Sequence, residues 1–415
     1  MNEFTVVFLL ALAASSGVEF WLSRRQSAHV LAHREKVPEA FQETVTLEAH
    51  RKAADYTVDK SRLGDVDRTL GILVLLVFTL GGGIALLQSF WNGFGLSPLL
   101  TGVGLILSLL LIIQLIELPL GLYQTFVIEE RHGFNRNTPG QFAKDLVLQM
   151  LLSLAIGAPL LALILWVMDS TGPYWWLLAW AILMSFSILM SWAYPTVIAP
   201  LFNKFTPLSD VTLRQRIEAL LERCGFHSKG IFVMDGSRRS GHGNAYFTGI
   251  GDSKRIVFFD TLVDSLEHDE LEAVLAHELG HFKRRHVIKM LMTSAAITLA
   301  GFVLLGWVSQ EDWFYRGLGV QEPNHAAALL LFIMVAPVFT VFLKPVIAYF
   351  QRRYEFEADD FAASHTRSRD LISALVKLYR ENASTLTPDP LYATFHYSHP
   401  PAAIRIAHLD SKASA

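Results

Sequence analysis

Ala276-His277-Glu278-Leu279-Gly280-His281-Phe282-Lys283-Arg284-Arg285-His286-Val287 joins two kinds of sequence within twelve residues. The first half reads His-Glu-x-x-His. The second half passes through a basic knot, 283–286, into an apolar run at 287–308. Upstream, Leu271, Val274, Leu275 and Leu279 recur with helical periodicity. On a helix, residues four apart share a face, so His277 and His281 can aim two imidazoles at one ion. Zinc accepts such nitrogens and leaves a corner for water. Glu278 lies one residue round, within reach of that water's proton, as a general base requires. Three fixed residues also occur by chance on solvated helices, so the context has to decide. The basic knot reads as an anchor facing lipid headgroups.

Outward from this stretch the chain is dominated by apolar runs. Of 415 residues, 52% are hydrophobic and 18% charged, below the roughly 25% charged of soluble domains. Seven runs of about 20 residues predict membrane spans: 4–22, 70–91, 99–122, 146–168, 174–194, 287–308 and 326–349. The first carries no basic leader or cleavage site and is expected to stay as a span. A net charge of −3 gives nucleic acid no purchase. The single Cys224 excludes an intramolecular disulfide and a cysteine-based metal cluster.

Lys and Arg set the orientation. Loop 23–69 holds nine, loop 123–145 three and loop 195–286 twelve; loops 92–98 and 169–173 hold none, and 309–325 only Arg316. This alternation predicts an N-terminus outside and the His-Glu-x-x-His motif in the cytosol. Two spans then return the C-terminal tail to the same side as His277 and His281. The expected organisation is residues 1–195 as five membrane helices with cytosolic loops, 196–286 as a cytosolic peptidase domain, 287–350 as two further spans, and 351–415 as a tail completing the site. The fold class is mainly α: a polytopic membrane protein of seven transmembrane helices with a small zincin-like α+β domain. Within that domain, 214–224 reads as an amphipathic helix, and 230–234, 241–249 and 256–259 read as strands.

A peptidase zinc with two histidines wants a third protein ligand, often Glu. In Arg352-Arg353-Tyr354-Glu355-Phe356-Glu357-Ala358-Asp359, Glu355 and Asp359 are four apart and face one way. Glu355 is the third-ligand candidate. Asp359 can then accept a hydrogen bond from a ligand imidazole, and Glu357 points elsewhere. A solvated acidic helix start just beyond the membrane is the competing reading. Glu117, near Pro119 at a span end, reads as an interface acid or the partner of a neighbouring cation.

These residues carry a resemblance. The chain resembles the type I CAAX prenyl proteases, seven-span integral-membrane zinc metallopeptidases. The blocks in order are Val37-Pro38 through Tyr56-Thr57-Val58-Asp59-Lys60; Phe126-Val127-Ile128-Glu129-Glu130-Arg131-His132-Gly133-Phe134-Asn135; Pro195 through Ala199-Pro200-Leu201-Phe202-Asn203-Lys204; Asn244-Ala245-Tyr246-Phe247-Thr248-Gly249; the histidine motif; Glu355 to Asp359; and His399-Pro400-Pro401 with Arg405. The resemblance implies one zinc ion on His277, His281 and Glu355, with Glu278 as acid/base. It implies that Asn244 and Ala245 belong to an edge strand holding an extended substrate, that His399 and Arg405 line the catalytic centre, and that the helices ring a water-filled intramembrane chamber. From the residues alone, His399-Pro400-Pro401 and Arg405 read as a turn and a basic helix.

The expected partners are therefore peptide or protein substrates, prenylated or not, and the lipid bilayer. The expected location is the bacterial inner membrane, or the endoplasmic reticulum in a eukaryote. The tail shows no endoplasmic-reticulum retrieval signal, which leaves prenyl specificity open. Two rival functions remain: a quality-control membrane protease of broad specificity, and a membrane scaffold or transporter with a structural zinc.

Overall fold

The computed structural model describes residues 2–226, 228–248 and 255–413. Helix α1 (Glu3–Ala32) is capped by the Asn2 side chain. Helix α2 (Leu47–Phe78) breaks at 79–82 and resumes as α3 (Gly83–Asn92), bent by 55°. Gly82, with φ of 79°, supplies the left-handed residue at that bend. Then come α4 (Pro98–Tyr123), running into a π-helical turn (Gln124–Glu129), α5 (Pro139–Ser170), α6 (Trp175–Ala193), and the single turn α7 (Ala199–Phe202).

The small domain follows as β1 (Phe205–Pro207), α8 (Val211–Arg223), β2 (Ile231–Met234), β3 (Ala245–Thr248), β4 (Arg255–Phe259), α9 (Asp260–Ser265) and α10 (His268–Lys283). The chain returns to apolar sequence in α11 (His286–Val308), crosses a short α12 (Asp312–Gly317), and re-enters as α13 (His325–Thr340). A 3-10 turn joins α13 to α14 (Lys344–His365); α15 (Ser368–Glu381), α16 (Pro390–His396) and α17 (Ala402–Ala413) end it.

Six described spans are long and apolar enough to cross a membrane, and the bent pair α2–α3 makes a seventh when taken as one span. Neighbouring helices run α1, α2, α4, α5, α6, α11, α13 and back to α1. Their shared core includes Phe8, Leu105, Leu109, Leu305 and Leu331. Between α1, α2, α4 and α13 lies a cavity of about 440 Å³ reaching Glu19, Arg68 and Lys344. Glu117 lines it but is exposed and forms no ion pair among the described residues, so the expected cation partner is absent.

The four described strands are ordered β1-β2-β4-β3. β2 and β4 are parallel, and β1 and β3 flank them antiparallel, which leaves β3 at an edge. Of the expected strand 241–249, residues 241–244 form a loop and Gly249 lies outside the described residues. β1 is a strand the sequence pattern did not announce. The sheet packs on α8, α10 and α15 around Leu213, Ile217, Phe258, Leu271 and Leu279, with Cys224 buried in the same core.

The largest departure concerns the tail. The last span does not stop near 349: apart from the 3-10 turn, α13 and α14 run as one 41-residue rod from His325 to His365. At about 1.5 Å per residue the rod is about 60 Å long, twice the ~30 Å hydrocarbon core. Glu355 and Asp359 therefore ride the buried face of a long continuous helix, which removes the solvated helix start as an explanation.

Candidate active site

Two helices build the centre. α10 begins with a capping box, in which Glu267 N–H donates to Glu270 Oε2 at 2.8 Å. It crosses α14 at Gly280, where an added Cβ would lie 2.9 Å from Ala358 Cα. That close approach brings the histidine face of α10 onto the carboxylate face of α14. The Nε2 atoms of His277 and His281 are 3.2 Å apart. His277 Nε2 lies 3.5 Å from Glu355 Oε2, and His281 Nε2 lies 3.4 Å from Glu355 Oε1. Glu355 Oε2 is buried with no hydrogen-bond partner. Two imidazole nitrogens beside a buried carboxylate with one unpaired oxygen form a donor set that fits a divalent cation.

The electrostatics agree. Burial disfavours a charged His277, yet Asp359 and Glu355 outweigh it and hold its pKa up at about 9. Burial, with His277 beside it, pushes His281 down to about 4. The two carboxylates thus favour positive charge on His277, while His281 stays neutral beside it. Burial also raises the Glu278 carboxyl.

His277 is held from behind. Its Nδ1 lies 2.8 Å from Asp359 Oδ1. Arg405 clamps the same carboxylate, Nε to Oδ2 at 2.9 Å and Nη2 to Oδ1 at 2.5 Å. Arg405 is 5% exposed, and its Nη1 lies 3.6 Å from Glu355 Oε2. Residues 399–405 do form a turn and a helix, as their local sequence says; packing α17 against α14 and α15 turns Arg405 inward. His399 stands at the open side, Nε2 3.4 Å from Glu355 Oε1.

These groups face a cavity of about 770 Å³ lined by Glu278, His277, His399, Asn244, Ala245 and Arg68. Arg68 also borders the cavity between the spans. Asn244 Oδ1 accepts from Ala245 N–H at 2.8 Å, and Asn244 O accepts from Phe259 N–H at 2.9 Å, which secures the start of β3 to β4.

The comparisons with known proteins point one way. Residues 26–204 match the family model described as CAAX prenyl protease N-terminal, five membrane helices, and 207–413 match Peptidase family M48. The chain belongs to the CAAX prenyl protease family. It is 35% identical to CAAX prenyl protease 1 homolog of Arabidopsis thaliana, over 91% of each chain. It is 34% identical to CAAX prenyl protease 1 of Saccharomyces cerevisiae, over 90% of this chain and 88% of the relative. The crystal structure of S. mikatae Ste24p superposes with a TM-score of 0.91 at 31% identity, covering 99% of both chains. Membership makes the protein an integral-membrane metalloprotease with a multi-pass helical scaffold.

Of the residues singled out in this family member, His277, Glu278, His399, Arg405, Asn244 and Ala245 line one cavity, and His281, Glu355 and Asp359 lie against His277. The sequence missed two further groups. Tyr56 Oη and Gln124 Nε2 donate to Glu129 Oε1 at 2.6 and 2.7 Å, and His242 Nε2 sits 3.3 Å from Glu129 Oε2. Asn382 Oδ1 accepts from Gly243 N–H at 3.1 Å and contacts His242 Nδ1 at 3.2 Å. This network ties α2 and the π-helical turn to the loop before β3. Its only sequence signal was that Tyr56 and Glu129 fall in blocks carrying the family resemblance. The second group is His286, read as part of a lipid-facing anchor. It is 1% exposed and lies against His281. Glu357 does point away from the centre, as expected, but onto His286.

Proposed function

We propose that the protein is a zinc endopeptidase that cleaves near the C-terminus of CAAX-type proteins, prenylated ones included. The convergence of His277, His281 and Glu355 beside Glu278 carries this reading. A tetrahedral ion with bonds of about 2.0–2.1 Å separates its ligand atoms by about 3.3–3.4 Å. The two imidazole nitrogens stand 3.2 Å apart, near that figure, and each faces its own oxygen of Glu355, at 3.4 Å from His281 and 3.5 Å from His277. Among the described residues the cluster offers three ligands, the number of a catalytic rather than a structural ion. Bound there, zinc supplies Lewis-acid polarisation of a carbonyl and acidifies a water.

The remaining steps belong to the chain. An extended substrate adds to the open edge of β3 at Asn244 and Ala245, which sets the scissile carbonyl over the centre. Glu278 takes a proton from the attacking water as the hydroxide adds to the carbonyl carbon. His399 and Arg405 stabilise the oxyanion. Glu278 returns the proton to the departing amine as the C–N bond breaks. Asp359 fixes the His277 ring. Residues 1–195 and 287–350 form the membrane scaffold, 196–286 and 351–415 the peptidase. The basic loops on the side of the motif support an active site facing the cytosol.

A farnesylated CAAX peptide and its unmodified twin test the substrate class. Cleavage of the farnesylated form, abolished by chelation and restored by zinc, supports the proposal. Equal turnover of unrelated unfolded proteins and no preference for CAAX termini would favour a quality-control protease instead. Glu278→Gln is expected to keep zinc while losing about 10²–10⁴-fold in rate; full activity in that variant removes Glu278 from the mechanism.

A further inference from the structure

His277 receives a carboxylate from behind, and His281 receives something less ordinary. Its Nδ1 lies 3.1 Å from His286 Nδ1, and His286 Nε2 lies 3.1 Å from Glu357 Oε2. His286 is 1% exposed and stacks on Tyr354 with ring centres 4.4 Å apart and planes 17° apart. Glu357 is itself held by Arg353 at 3.3 Å and Lys289 at 3.6 Å. The placement comes from Arg285, whose φ of 56° is uncommon for a residue with a side chain. That kink ends α10 and starts α11 with His286 folded back beneath His281 rather than out toward lipid.

We propose that His286 and Glu357 form a positioning relay that fixes the tautomer and ring plane of His281; this rests on the reading of His281 as a metal ligand. The proton order follows from donor and acceptor inventory. An ionised carboxylate only accepts, so His286 donates from Nε2. A neutral imidazole has one donor and one acceptor, so His286 Nδ1 accepts. His281 therefore donates from Nδ1, which leaves its Nε2 lone pair facing the Nε2 of His277. The same logic through Asp359 leaves the Nε2 lone pair of His277 at the centre. Two unlike tethers, one carboxylate and one imidazole–carboxylate pair, deliver the same result to the two rings.

The test is zinc retention in the full-length protein in detergent, read as the rate of zinc transfer to a chelating dye. Partners behind a ligand are typically worth about 10–100-fold in metal affinity. His286→Ala and Glu357→Ala are each expected to release zinc at least about tenfold faster than wild type. Glu357→Gln, which keeps an acceptor oxygen, is expected to restore most of the retention. His281→Ala is the control for the ligand itself: wild-type retention there removes the ligand assignment rather than the relay. With that control losing zinc, wild-type retention in Glu357→Ala overturns the relay, and this half-exposed position decides even where His286→Ala fails to fold. A defect that Glu357→Gln shares with Glu357→Ala overturns the tautomer assignment, because charge alone would then account for it.

Discussion

Asp359 has no exposed surface; its Oδ1 meets both His277 and Arg405, and its Oδ2 accepts from Arg405. Arg405→Ala leaves that carboxylate buried with half its partners. We expect metal affinity to fall about 10–100-fold, measured by competition with a chelator of known affinity. Unchanged affinity would confine Arg405 to the substrate side of the cavity. The spacing of Glu355 and Asp359 was legible because four residues make one helical turn. The pairing of Asp359 with Arg405 was not, since 46 residues separate them and only the docking of α17 joins them. His286 was misread for a related reason: four consecutive basic residues look like one solvated face, and only the kink at Arg285 divides them.

At the scale of elements, the site depends on how closely α10 and α14 approach. Gly280→Ala drives a methyl into Ala358 and must move backbone, because the nearest atom is a Cα. Displacement of a catalytic group by about 1 Å can cost about 10²-fold in rate. We expect a loss of that order in turnover, and wild-type turnover would show that the crossing tolerates spreading. The start of α10 is tied separately to α15. Ser373 Oγ and Lys377 Nζ donate to Glu270 at 2.6 and 2.8 Å. Glu270→Ala should destabilise the protein by about 1.5–3 kcal/mol, read as a lower Tm in detergent. Burial alone would raise the Glu270 carboxyl, but Lys377, Ser373 and the Glu267 N–H hold it below the usual carboxylate range. Its contribution is therefore complete above the ordinary Glu pKa and fades as pH falls toward the lowered one. The Tm difference between Glu270→Ala and wild type should shrink on acidification. Helix existence and type were legible here from periodicity. The fusion of α13 with α14 was not, because hydropathy marks where apolar sequence ends and not where the helix does.

Across the whole molecule, the apolar runs outlined the helical scaffold well, since membrane solvation allows few alternatives to a helix. The closed circuit of helices and the second cavity at Arg68 emerge only from packing. One rod, His325 to His365, belongs to both halves. Its apolar part packs among the other spans through residues such as Leu331, and its far part holds Glu355 and Asp359. A helix too long for its bilayer tilts, and one too short thins the bilayer around it. Tilting this one swings Glu355 relative to His277 and His281, which are carried on α10. The enzyme should therefore sense acyl-chain length. Turnover of one soluble peptide, compared across vesicles of short, medium and long phosphatidylcholines, should peak at a single thickness; a flat profile would mean that the 3-10 turn at Val341–Leu343 acts as a hinge and uncouples the two ends.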